Sequence, residues 1–182
     1  MKKHTIFALV SVLAFTLVGA VLAQTPTGPP KPGPEHQKLA YFVGKWVSVG
    51  ETKASAYGPA SKYSFTQTCE WFEGSFAVVC RSEGKFGDTA VKGLSVMSYE
   101  MGEKAYIYFE TNSFGENVVS HGTVSGDTWT WNGEGKGMDG KPVRARFTLK
   151  QVSPDSANYK FEVGSGSEPL ALVMEGKQTR QK

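Results

Sequence analysis

The side chains that could do chemistry are few, and their spacing limits what they can do. Of the histidines, His4 falls in an N-terminal apolar segment, which leaves His36 and His121, far apart in the chain. Nucleophilic catalysis needs a Ser or Cys beside a base that a third group orients. Gly164-Ser165-Gly166-Ser167 reads as a flexible turn and not as a nucleophile elbow, because no strand-to-helix pattern surrounds it. A metal site needs three or four converging ligands, and two isolated histidines do not supply them. Cys69 and Cys80 are an even pair, better read as a disulfide in an oxidising compartment. No catalytic residue and no metal site is expected.

The remaining candidates bind. His36 reads as a hydrogen-bonded helix residue near one end of the fold, the alternative being a polar contact at the mouth or floor of a cavity. His121, on the polar strand Val118 to Val124, could reach an interior ligand, or a haem iron as axial group. Arg144 and Arg146 share one strand face opposite Val143, Ala145 and Phe147. Facing inward they would form an anion site. The outward reading is preferred, because Leu149 continues the apolar face and an unpaired buried Arg is costly. Trp71, Phe109, Trp131 and Phe161 are candidate cavity rings, although large rings equally well fill a core.

These residues must be positioned by strands. After residue 44 the chain shows about ten short strand-like runs, near 45–53, 61–72, 76–84, 91–100, 104–112, 117–124, 128–134, 143–152, 157–164 and 169–180. Trp129 and Trp131 share a face, as do Tyr159, Phe161 and Val163, while Ile107 and Phe109 oppose Tyr106 and Tyr108. Gly74-Ser75, Gly102-Glu103, Gly126-Asp127 and Asp139-Gly140 are turn pairs. Strands joined in order by tight turns form an antiparallel meander, and closure removes its edges. The expected fold is all-β: a single antiparallel up-and-down β-barrel of about ten strands with a short N-terminal helix. With Gly74-Ser75 as a two-residue turn, Cys69 faces Cys80 at a hydrogen-bonded pair.

Ahead of the strands, Pro32 to Trp46 reads as that helix. Gly33 is at the N-cap and Pro34 at the first helical position. Glu35 follows in the first turn, and Gly44 is placed for a left-handed C-terminal cap. Residues 1–23 read as an export signal: Lys2 and Lys3, an apolar run from Ile6 to Leu22, and small residues at Val21 and Ala23. Residues 24–33 are a Pro-rich tether and 34–182 the barrel domain. Cleavage of the 182-residue chain leaves 159 residues, enough for one core, and loss of two lysines takes the formal charge from +3 to +1. That balance gives no case for nucleic acid, or for a membrane once the signal is cleaved. The expected location is periplasmic or secreted; oligomeric state stays open.

The motifs PGPEH at 32–36, Gly44-Lys45-Trp46, and Glu70-Trp71 followed by Gly74 and Phe76 resemble the bacterial domain-of-unknown-function family 1579. That family is placed among the lipocalin-like (calycin) barrels. The resemblance implies that the helix plugs one barrel end, that Trp46 packs across the floor, and that an Arg of the last strand covers it. Arg180 is the candidate, with Lys177 as substitute. Some barrels of this general type, nitrobindin-like ones among them, bind haem. Their glycine-rich opening after the Trp is replaced here by Val47-Ser48-Val49-Gly50-Glu51. The expected function is binding of a small apolar ligand, with His36, Trp71, Phe109, His121, Trp131 and Phe161 as candidate cavity residues. The alternatives are an interaction module without a small ligand, a haem barrel, and an enzyme of unrecognised type.

Overall fold

The computed structural model describes residues 29–56, 58–137 and 140–182. The expected export signal, the first half of the tether and Asp139 lie outside them. A short helix, α1 (Pro34–Lys38), continues into one 3-10 turn (Leu39–Phe42). Ten strands follow: β1 (Gly44–Thr52), β2 (Ser61–Trp71), β3 (Ala77–Phe86), β4 (Thr89–Glu100), β5 (Ala105–Asn112), β6 (Asn117–Ser125), β7 (Thr128–Lys136), β8 (Pro142–Ser153), β9 (Ser156–Ser165) and β10 (Ala171–Gln181). Each pairs antiparallel with the next and β10 pairs with β1, closing an up-and-down barrel with no free edge. Among the described residues no helix is long and apolar enough to cross a membrane.

The helix is held at one barrel end by its sequence. Gly33 is the N-cap, and its N–H donates to His36 Nδ1 at 3.2 Å. The Glu35 carboxylate accepts from Lys38 at 2.7 Å and from the Tyr106 hydroxyl at 2.6 Å, tying the first turn to β5. Leu39 and Phe42 are buried, and Phe42 packs edge-on against Trp129 at 5.0 Å. Gly44 has a positive φ of 120°, but an extended Val43 separates it from the helical turn. It therefore bends the chain into β1 and does not cap α1. Around the plug lie Cys69, Val78, Cys80, Met97, Tyr106, Trp129 and Leu149, all buried.

Two turns are longer than expected: the connection around Gly102-Glu103 spans Met101–Lys104, and that around Gly74-Ser75 is longer as well. Ser75 N–H donates to Phe72 carbonyl, Phe72 N–H donates to Ala77 carbonyl, and Gly74 has φ +85°. The β2–β3 connection thus spans Glu73–Phe76, and Gly74-Ser75 is not a two-residue loop. The longer loop keeps the register, with Trp71 opposite Val78 and Cys69 opposite Cys80. It shifts the hydrogen-bonded pairs by one, because Phe72 and Ala77 now form such a pair. Cys69 and Cys80 fall on a non-hydrogen-bonded pair, with Cα atoms 4.0 Å apart and their sulfurs bonded. The two-residue pattern does hold at Phe86↔Thr89 and at Ser125↔Thr128, where Gly87 and Gly126 take positive φ.

Candidate functional site

The inner face of the barrel tapers. Read from the helix end toward the opposite rim, β7 presents Trp129, Trp131, Gly133 and Gly135. Strand β4 presents Met97, Ser95 and Gly93; β3 presents Cys80, Ser82 and Gly84; β8 presents Leu149, Phe147 and Ala145. Large rings pack the half beside the plug. Trp129 and Trp131 stack at 5.5 Å, and Trp131 lies against Gly122, where a Cβ would meet its ring at 2.5 Å. Farther on, the same strands carry Ser, Gly and Ala before Phe86, Val91 and Val143 follow toward the rim. An ideal Cβ at Gly135 meets no atom within 4 Å. Phe65, Phe86, Tyr108, Phe147, Phe161 and Met174 point inward by register yet stay half-buried, so solvent reaches the lumen in this half.

Two polar groups face each other across the β1–β10 seam. The hydroxyls of Tyr63 and Tyr159 are 2.7 Å apart, and Tyr63 donates to the Glu175 carbonyl at 3.0 Å. They lie over the facing glycines Gly50 and Gly176, where a Cβ would come within 2.4 Å of the Tyr63 oxygen. Burial pushes both phenols up, so they act as neutral donors at physiological pH.

A carboxylate stands in the wall of small residues. Glu110 on β5 pairs with Ser95 on β4 and Val118 on β6. It accepts a hydrogen bond from the Tyr108 hydroxyl, which Ser95 also contacts. Its other oxygen lies against the bare backbone of Gly93, 3.6 Å from where a Cβ would be. Burial pushes the Glu110 carboxyl up, and the nearby Glu116 charge adds to this, while the Tyr108 hydrogen bond works against it. Burial also holds Tyr108 well above the usual phenol value. Among described strand residues that point inward, Glu110 is the one acid, and the one base is Arg180 at the helix end.

The structure separates the residues singled out from sequence. Trp131 and Phe161 face inward, Phe161 opposite Phe147 and Met174. Trp71 faces inward beside the disulfide at the plug end. His36 is buried there too, edge-on to Phe76 at 5.1 Å and Tyr99 at 5.7 Å. Phe109 and His121 do not belong with them. Phe109 is exposed on the outer wall beside its cross-strand neighbour Val119, and Leu94 is exposed nearby. The inward face of β5 is Tyr106, Tyr108 and Glu110. His121 is also outside, with Nε2 3.3 Å from the Glu103 carboxylate. It is therefore not placed to be an axial group for a haem in the lumen. Arg144 and Arg146 are exposed: Arg144 donates to the Gly166 and Glu168 carbonyls at 2.9 and 2.6 Å, and Arg146 to the Asn132 side chain at 3.3 Å.

Among the described residues no three His, Cys, Asp or Glu side chains converge as metal ligands would. A groove of about 600 Å³ runs over the outer surface where β1, β9 and β10 meet, lined by Val49, Glu51, Lys62, Asn158 and Lys177. Salt-paired and solvated side chains border it, with Lys53 bonded to Glu175 at 2.8 Å nearby.

The sequence family described as a protein of unknown function (DUF1579) matches residues 31–180, and the chain belongs to that family. No curated protein matches it. Among solved structures, it is similar to Rv2717c from M. tuberculosis, with 13% identity and a TM-score of 0.57 over 82% of this chain and 99% of that one. It is also similar to the S-type phycobiliprotein lyase CPES from Guillardia theta, with 13% identity and a TM-score of 0.55 over 81% and 93% of the two chains. Both likenesses are of fold: a lipocalin-like barrel.

Proposed function

We propose that this member of the family binds a small, largely apolar ligand in the half of its lumen away from the helix, and does so in the periplasm or outside the cell. One observation carries the reading. Inward-facing rings at Phe65, Phe86, Phe147 and Phe161 remain half-buried, where a packed barrel core would bury them. Beneath them Trp131 forms the floor, and the facing side chains of β3, β4, β7 and β8 include the small residues Ser82, Ser95, Gly133 and Ala145. The Cys69–Cys80 disulfide supports an oxidising compartment, and the leader-like residues 1–23 supply the export route.

The test is titration of the neutral fluorophore N-phenylnaphthylamine into delipidated protein. Saturable uptake in the micromolar range, about −8 kcal/mol, is expected. Ala145→Trp, which fills the lumen, abolishes it, and the milder Gly135→Leu weakens it. No saturable uptake by the wild-type chain overturns the reading in favour of an interaction module.

A further inference from the structure

We propose that the ligand carries a cationic nitrogen, an ammonium or amidinium on an apolar body, and that Glu110 receives it. This rests on the lumen reading above and names the chemical class the lumen selects. The argument begins with the placement of charge. All other inward-facing side chains of β2 to β9 are uncharged, so Glu110 has no protein cation to pair with. Its hydrogen-bond donor is a neutral phenol, Tyr108, which engages one oxygen. Glu110 is half-buried, and a carboxylate partly withdrawn from water with one neutral donor is satisfied best by a cation or by its proton.

The surroundings favour the cation. Trp131 lies with its ring centroid 6.3 Å from that of Tyr108, and Phe147 lies 6.0 Å from Trp131. Ring faces attract a desolvated ammonium as well as apolar groups. An anion finds the reverse: Glu110 repels it, and no inward Lys, Arg or His of these strands compensates. The barrel is therefore built against fatty carboxylates. The groups facing Glu110 are Tyr108 on its own strand, Ser95 and Gly93 on β4, Val118 on β6, and Glu116 in the following turn. None is basic, so none masks its titration.

The experiment displaces N-phenylnaphthylamine from the mature chain with three probes of equal length: dodecylamine, dodecanol and dodecanoate. At pH 8 the amine should displace at least tenfold better than the alcohol, and the carboxylate worst. In Glu110→Gln the amine preference should vanish while uptake of the fluorophore persists. Lowering the pH should erase the wild-type preference as Glu110 protonates, since the amine stays charged throughout. Equal displacement by amine and alcohol overturns the proposal, as does a preference that survives Glu110→Gln, while the lumen reading stands. Failure of both proteins to take up the fluorophore overturns the lumen reading and this one with it.

Discussion

The guanidinium of Arg180 lies over the indole of Trp46, with Cζ 4.2 Å from the ring centroid, and the two residues are direct partners in the β1–β10 ladder. Trp46 is buried and donates to the Phe42 carbonyl at 2.8 Å. Arg180 donates to the Val43 carbonyl, to the Tyr41 carbonyl at 2.9 Å, and to the Asp155 carboxylate at 3.0 Å. One side chain thus joins the first strand, the last strand, the helical plug and the β8–β9 turn. It satisfies carbonyls that the end of the helical turn leaves unpaired.

The expected cost of Arg180→Ala follows from these contacts. A partly exposed cation–π contact of about 0.5–2 kcal/mol and the loss of charge-assisted hydrogen bonds give about 2–3 kcal/mol. For a domain of this size that is a melting temperature lower by roughly 4–12 °C. Gly44→Ala should cost a similar amount, because φ is +120° there and a Cβ would sit 2.8 Å from Arg180 Nη1. In the Arg180→Ala background the steric part disappears and only the backbone part remains. A double-mutant cycle by thermal denaturation checks this, and full additivity would contradict a shared site.

The disulfide yields a second prediction. Cys69 and Cys80 are buried in the wall at the plug end, with a sequence separation of 11. The bond closes a short loop, so Cys69→Ala with Cys80→Ala should lower stability by about 2–3 kcal/mol. Intact mass of exported protein should fall below the reduced value by the mass of the thiol hydrogens. Alkylation after brief reduction of the native protein should be slow, because both sulfurs are shielded, and rapid once it is denatured. Free thiols in freshly exported protein would contradict the assignment.

The fold was legible because its signals are local. Gly33-Pro34 starts a helix, Gly44-x-Trp46 turns it into a strand, and the ten alternating runs lie where the ten strands are. The Cys69–Cys80 register was readable as well, since a loop two residues longer preserves which residues face each other. What that loop changed, the class of the pair, depends on the positive φ angles at Gly74 and Ser75, and a serine's type does not announce its own. The site was harder to read. On β5 both faces carry aromatic residues, so alternation alone does not say which one is inward. Choosing Phe109 as an inner ring takes the wrong face of β5, although Tyr-x-Glu on the other face is a usable signal. On β7 the order Trp, Trp, Gly, Gly puts large residues at the plug end and small ones toward the rim, a meaning that only the pairing with β6 and β8 discloses.

The last prediction concerns what Glu110 does to stability without ligand. Burial raises its carboxyl in the folded barrel above the 4.5 of an ordinary Glu. Below that ordinary value the group is protonated in both folded and unfolded chains and has no effect on the balance. As pH rises from there, the unfolded chain loses the proton first, and folding is increasingly disfavoured until the folded carboxyl has also ionised. Glu110→Gln removes this penalty while its amide oxygen still accepts from Tyr108. The variant should therefore melt higher than wild type at pH 7, and the gap should close as pH falls toward 4. Dodecylamine should raise the melting temperature of wild type at pH 7 more than that of the Gln variant. A variant that melts at or below wild type at neutral pH would mean that Glu110 is held by its partners and not penalised by burial.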